Sequence, residues 1–301
     1  MLVFNRPAHT ARVLEAVRAA RPRTLFVVAD GARPDKPGEL EATRSVRALF
    51  DTVDWPCEVV RIFSETNLGC RERIGSGITE VFRHVDSCVF LEDDCLPHPT
   101  FFRYCADLLA RYADDDRVMT ISGDGFSNEL GGLRFDHSYY FTRFVHIWGW
   151  ATWRRAWAHY DGTMARWPAL RDSNWLRSRF RSFEDRLFWT LWFQMCCDGR
   201  LNTWDIPWVF SSWLRDGLSI CPARNLVTNI GFDGTGTHVG GRSPFAGLAV
   251  HEMDFPLQSP TAIACHEDAD RWTQRYCFTG TPRRRWKRLL RYLKQGVRAE
   301  A

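Results

Sequence analysis

Short apolar runs alternate with amphipathic stretches through the first half of the chain, and that rhythm predicts its elements. Leu2-Val3-Phe4 reads as a brief apolar start, the remnant of a longer first strand. Residues 9–20 put Val13, Leu14 and Val17 on one helical face. A second strand over 25–28 ends at Asp30-Gly31, a helix covers 40–50, and a third strand covers 58–63. Asn67-Leu68-Gly69 turns the chain into a helix over 71–83, and residues 88–91 form the fourth strand. Strands and helices in strict alternation call for an α/β fold, a mostly parallel central sheet flanked by helices on both faces.

The pattern continues for one more unit and then changes. Pro97 and Pro99 stop the chain from continuing as strand. A helix over 100–111 follows, rich in Phe101, Phe102, Leu108 and Leu109, and a strand over 118–121 ends at Gly123-Asp124-Gly125. Eleven of the fourteen tryptophans then fall between Trp148 and Trp213, so this region is built differently from the first half. Trp150, Trp153 and Trp157 recur at three- and four-residue spacing, which predicts an amphipathic helix with most of the cluster in the core. Aromatic rings also cover the apolar C–H faces of sugars, and two or three of the eleven are expected to touch substrate. Trp148, Trp150 and Trp208 are the candidates.

The chemistry concentrates at Glu92-Asp93-Asp94, three carboxylates that end an apolar strand. In an open α/β sheet the carboxyl ends of the strands border the ligand crevice. Adjacent acids there repel by roughly 4 kcal/mol per pair at 4 Å and an effective dielectric near 20. A hard divalent cation bridging to a diphosphate relieves that repulsion. The plainer reading is a solvated turn with acids near a helix N-terminus. Asp30 and Asn67 gather along the same edge of the expected sheet, which favours the functional reading.

Asp205 stands between Trp204 and Ile206-Pro207-Trp208. A carboxylate among large apolar neighbours has a raised pKa and suits a general base; its plainer roles are capping or a salt bridge. Glu184-Asp185 is the competing pair, in a setting more like a solvated helix start. His238, after Gly231-Phe232-Asp233-Gly234, is the histidine most placed like a ligand, although a lone loop histidine is commonly a polar surface group.

Composition narrows the picture further. With 301 residues the chain can bury a large core, and its net charge of +4 is modest, with much of the excess in the last twenty residues. Basic residues are interspersed with acids, unlike a nucleic-acid binder. Ten cysteines without a C-x-x-C pair or a regular framework read as reduced thiols of a cytoplasmic protein. Neither a phosphate loop, a dinucleotide fingerprint, a nucleophile elbow nor an H-E-x-x-H motif occurs. No apolar run reaches the length of a membrane span, and no secretory signal opens the chain.

Taken in order, Asn5-Arg6-Pro7, Asp30-Gly31, Asn67-Leu68-Gly69, Glu92-Asp93-Asp94, Trp148-Gly149-Trp150, Trp204-Asp205, Asn225-Leu226-Val227 and Asn229-Ile230-Gly231 resemble bacterial glycosyltransferases of the nucleotide-diphospho-sugar transferase superfamily. A more distant resemblance is to the eukaryotic N-acetylglucosaminyltransferase that initiates complex N-glycans. That enzyme shares the Glu-Asp-Asp, a following Phe-Phe helix, a Gly-Trp helix start and a Trp-Asp carrying the base.

The resemblance spans residues 1–240 and implies a GT-A fold with a donor half over 1–125 and an acceptor half over 126–240. It implies that Asp94 coordinates Mn²⁺ or Mg²⁺, with His238 completing the metal or diphosphate site. Glu92 and Asp93 would contact the sugar and ribose, Asp30 would face the nucleoside base, and Asn5, Arg6 and Asn67 would border the donor. Asp205 would deprotonate the acceptor for an inverting, in-line displacement. The donor class is a nucleotide sugar, UDP-linked by preference, and the acceptor a glycan or a lipid-linked glycan.

Residues 241–282 form an extension of no assigned role. In the tail over 283–301, Trp286, Leu289, Leu290, Leu293 and Val297 keep helical spacing among eight Lys/Arg. Such a helix reads either as a peripheral contact with the inner face of a membrane, where a lipid-linked acceptor would lie, or as a helix packed on the domain. Two rival functions stand beside the transferase: a nucleotidyltransferase making nucleotide sugars, and a non-catalytic carbohydrate-binding protein. The first calls for a Gly-rich N-terminal phosphate loop, where this chain has Asn5-Arg6-Pro7.

Overall fold

The computed structural model describes residues 1–232 and 243–280. His238 and the basic tail over 283–301 lie outside the described residues. The chain is a mixed α/β protein. Its first half runs β1 (Leu2–Val3), α1 (Pro7–Ala20), β2 (Thr24–Ala29), α2 (Glu39–Ala48), β3 (Glu58–Phe63), α3 (Cys70–His84) and β4 (Ser87–Phe90), close to the expected alternation. Pro7 opens α1, where its missing N–H costs nothing, and Val13, Leu14 and Val17 form the buried stripe. The glycine at the start of α3, Gly69, has φ +79°, a conformation that a side chain strains.

Strands β1, β2 and β3 form a parallel sheet in the order β1-β2-β3, as helical crossovers require. The amide of Leu2 donates to the carbonyl of Leu91 at 2.8 Å, and a single parallel bridge, Leu2 to Glu92, ties this sheet to β4. After a short strand β5 (Cys95–Pro97) come α4 (Thr100–Arg111), β6 (Val118–Ser122), β7 (Tyr139–Thr142), β8 (Trp150–Trp153), β9 (Leu218–Pro222) and β10 (Val227–Asn229). The second sheet has the order β4-β8-β6-β9-β7.

Two expectations need correction here. The sheet is not mostly parallel beyond β4: β8 runs antiparallel between β4 and β6, β7 runs antiparallel to β9, and only β6 and β9 pair in parallel. Trp150 and Trp153 lie on a strand, with only Trp157 on the short helix Arg154–Trp157. Residues three apart on a strand face opposite sides of the sheet. Both sides are covered here, so both rings are buried and no two-residue alternation is left to read.

The tryptophans do form the core of the second half. Trp150 stacks between Phe90 and Trp204, with ring centroids 4.8 and 5.1 Å away, and Trp189 meets Trp213 edge-on at 4.6 Å. Most indole N–H groups reach an acceptor: Trp208 donates to Thr120 Oγ1 at 3.2 Å and Trp189 to Gln274 Oε1 at 2.9 Å. The Trp150 N–H is buried without a partner among the described residues. No described helix is long and apolar enough to cross a membrane.

Helix α3 packs closely on β2 at Gly77, where an added Cβ would collide with Val28 Cγ1. Gly77→Ala therefore sets about 1 kcal/mol of helix propensity against an overpacking cost of about 1–3 kcal/mol, and the collision wins. Thermal denaturation is expected to show a Tm lower by about 2–4 °C. An unchanged or higher Tm would refute the tight contact.

Candidate active site

Because β1 and β4 are parallel neighbours, the segments leaving their carboxyl ends emerge side by side. One carries Arg6, the other Glu92-Asp93-Asp94. The Arg6 guanidinium pairs with Asp93 through Nη2 and, at 3.3 Å, through Nε; the same Nη2 lies 2.9 Å from Asp94 Oδ2. Both aspartates are buried. Burial alone would lower the arginine's pKa, but the two carboxylates outweigh it and hold the group above its ordinary value. Burial also raises the Asp93 carboxyl, with Arg6 opposing the shift.

A two-stranded ribbon closes over Asp94. Strands β5 and β10 pair antiparallel, with Asn229 opposite Cys95, and the amide of Ile230 donates to the Asp94 carbonyl at 2.8 Å. This brings Gly231 against Asp94 Oδ2 and Arg6 Nη1, where a Cβ would collide with the carboxylate. In the sequence Gly231 stands out only as the end of Asn229-Ile230-Gly231. Its reason is this close approach of backbone to charge.

Glu92 is the most perturbed acid of the site. Burial, then the carboxylates of Asp94, Asp93 and Asp205, push its pKa up to about 8, with Arg6 in partial opposition. Its Oε1 is buried with no hydrogen-bond partner among the described residues. Asp205, the first residue of the helix Asp205–Leu214, is thus electrostatically part of the same cluster. The Thr203 hydroxyl and the Ile206 amide (2.9 Å) both donate to its Oδ1. The cluster therefore gathers Arg6, Glu92, Asp93, Asp94 and Asp205.

Other expected site residues are held by internal hydrogen bonds. Asp30 accepts from the amides of Gly31, Leu68 and Gly69, each at 2.9 Å, and from Asn67 Nδ2 at 3.1 Å. Together Asp30 and Asn67 fix the loop that starts α3. Asn5 donates to Glu39 Oε1 at 2.9 Å, and Arg33 pairs with the same carboxylate. Glu184 and Asp185 belong to a helix cap: Ser182 donates to Glu184 Oε2 at 2.6 Å and accepts from the Asp185 amide at 3.4 Å.

Trp150 and Trp208 are both fully buried, which corrects their assignment as acceptor contacts, since no solute reaches them. Trp148 is half-buried, in an aromatic group with Phe126, Phe232 and Phe245. Gly149 precedes a strand, not the expected helix. Sequence reading also missed a buried pair, His146 Nδ1 to Asp124 Oδ1 at 2.5 Å. The only signal was an acid in the Gly123-Asp124-Gly125 turn.

A divalent cation fits this chemistry on one ground and lacks support on another. Arg6 pairs with two of the clustered acids, and Glu92 Oε1 is buried with no hydrogen-bond partner among the described residues. However, no three His, Cys, Asp or Glu side chains among the described residues converge on one point. Mg²⁺-type sites commonly use one or two carboxylates and fill the remaining positions with water and substrate phosphate, so the residues present are compatible with such a site. No protein-family model matches the chain, and no curated protein matches it.

Glu92 also sets a pH dependence. Its folded-state pKa lies above the ordinary glutamate value of 4.5, so the folded protein keeps a proton that the unfolded chain releases. Without divalent metal, stability conferred below pH 4.5 is lost as pH rises through about 8. Urea denaturation across this window is expected to show a falling midpoint in the native chain and a flatter profile in Glu92→Gln. Parallel profiles for the two would contradict the assignment.

Proposed function

We propose that this protein is a metal-dependent glycosyltransferase of GT-A type, transferring a sugar from a nucleotide diphosphate, UDP-linked by preference, to a glycan or glycolipid. The observation that carries the reading is the convergence of Arg6, Asp93, Asp94 and Gly231, with Glu92 and Asp205 beside them, at the carboxyl ends of two parallel strands. That is where an open α/β sheet binds ligands.

In this reading Asp94 and Asp93 would hold Mn²⁺ or Mg²⁺, which when bound would supply charge stabilisation to a departing nucleoside diphosphate. Arg6 neutralises part of the acidic pair and offers a guanidinium to a phosphate oxygen. Gly231 keeps the floor above Asp94 bare, so that a diphosphate can approach. Glu92, held protonated by its neighbours below about pH 8, presents a hydrogen bond to a sugar hydroxyl. Asp205 takes the proton from the acceptor hydroxyl as the new glycosidic bond forms and the bond to the diphosphate breaks, with inversion at the anomeric carbon. The half-buried Trp148 offers a face to the acceptor sugar. His238 would complete the diphosphate site.

Two substitutions separate these roles in a donor-consumption assay with Mn²⁺ and a panel of nucleotide sugars. Asp94→Asn is expected to abolish donor binding together with turnover. Asp205→Asn is expected to keep donor binding and lower kcat about 100-fold or more, the scale of a lost general base. Full turnover in either variant would remove that residue from the mechanism. Absence of consumption of every donor by the native chain would overturn the reading.

A further inference from the structure

Helix α3 begins without a cap of its own. Its N-cap position is Gly69, which has no side chain to accept from the first-turn amides. A capping side chain ordinarily accepts from the N–H of the second or third helical residue. Here that acceptor comes from a distant part of the chain. Asn202 Oδ1 accepts from the amide of Arg71, the second residue of α3, at 3.0 Å and across 131 positions of sequence. The side-chain amide of Asn202 also lies directly over Gly69, where a Cβ would stand 2.6 Å from Asn202 Nδ2. Gly69 thus leaves room for the residue that does its capping.

Asn202 stands three residues before Asp205. Thr203 donates its hydroxyl to Asp205 Oδ1, and the amide of Ile206 donates to the same oxygen at 2.9 Å. A second bond spans the same junction: Arg71 Nη1 donates to the carbonyl of Cys196, near the end of the helix Phe183–Cys197, at 2.7 Å. Cys70, the first residue of α3, meets the backbone of Trp204. Burial, then the carboxylates of Glu92 and Asp205, push its thiol up to about 12. Helix α3 therefore opens beside the proposed base, with the end that carries partial positive charge. On its other side the loop 67–69 is fixed to the carboxyl end of β2, because Asp30 accepts from the amides of Leu68 and Gly69. A continuous series of contacts runs from the end of β2 through Asp30 and the start of α3 to Asn202, Thr203 and Asp205.

We propose that Asn202 is a positioning residue for Asp205: by capping α3 it holds the segment 202–204 where the Asp205 carboxylate meets the acceptor hydroxyl. The role rests on the transferase reading. Its plainer counterpart is a cap that stabilises α3 and nothing else. The two differ in what they do to Asp205. A residue that works through Asp205 loses its effect once that carboxylate is gone, whereas a merely structural one is felt equally with or without it. Small displacements of a reacting group are enough to slow the chemical step, so the loss of one such bond reads out in kcat.

The test is a double-mutant cycle of Asn202→Ala and Asp205→Asn in the full chain, read by amide hydrogen exchange and by donor consumption. Asn202→Ala is expected to speed exchange at Arg71 about 5-fold, the scale of one lost helix cap. A comparable gain is expected at Ile206, with Phe210, inside the same helix, unchanged as the internal reference. In turnover the variant is expected to lower kcat about 5-fold. Its Kd for UDP with Mn²⁺ stays at the native value, and kcat in the Asp205→Asn background does not change. Faster exchange at Arg71 with none at Ile206 would overturn the proposal, leaving a cap and nothing more. So would unchanged exchange at Arg71, or an equal loss of kcat with and without the Asp205 carboxylate. Exchange is read without substrate. A native chain that consumes no donor therefore overturns the transferase reading, while Ile206 still decides whether Asn202 holds Asp205.

Discussion

The constraint from which the rest follows is the crowding of carboxylates at the carboxyl ends of β1 and β4. Glu92 feels the charges of Asp94, Asp93 and Asp205, and Arg6 pairs with two of these acids, with His9 also acting on Asp93. A pair of such charges at 4 Å opposes folding by roughly 4 kcal/mol at an effective dielectric near 20, against a total stability of about 5–15 kcal/mol for a folded domain. The fold meets this cost in two ways: Arg6 straddles two of the acids, and Glu92 keeps its proton to about pH 8. A site built this way gains more from a bound cation than a neutral crevice would. That gain links the electrostatics to the proposed chemistry.

The aromatic second half gives this charged edge its rigidity. Trp204, directly before Asp205, stacks on Trp150, which in turn stacks on Phe90 at the end of β4. The proposed base and the acidic triplet are therefore joined through three rings in van der Waals contact, and a shift of the helix Asp205–Leu214 would have to move a fully buried tryptophan core. Of the positions that looked like sugar platforms, Trp150 is the middle of this link and Trp208 packs beside it against Trp157. Trp148, at the margin of this core, is only half-buried.

Much of the first half was legible because its elements are local. The strand over 58–63 and the helix over 100–111 appear with the expected bounds, since periodicity alone decides them. The order of strands after β4 was not legible. β8 enters between β4 and β6 by long-range pairing, and its Trp150 and Trp153 mimic helical spacing because both faces of that strand are buried. The acidic triplet and Asp205 were readable as types out of place, charges among apolar neighbours. Gly231, the roles of Asp30 and Asn5 as loop anchors, and the His146–Asp124 pair depend on contacts between segments up to 137 residues apart, such as Asp94 and Gly231, and no local pattern encodes them.

The central claim is that the cluster at Asp94 is a cation-assisted diphosphate site. Calorimetric titration of the purified protein with UDP and with GDP, each with and without Mn²⁺, tests it most directly. The account predicts saturable binding of one nucleoside diphosphate, UDP in preference to GDP, that requires Mn²⁺. Binding of neither nucleotide, or binding indifferent to the metal, would contradict it.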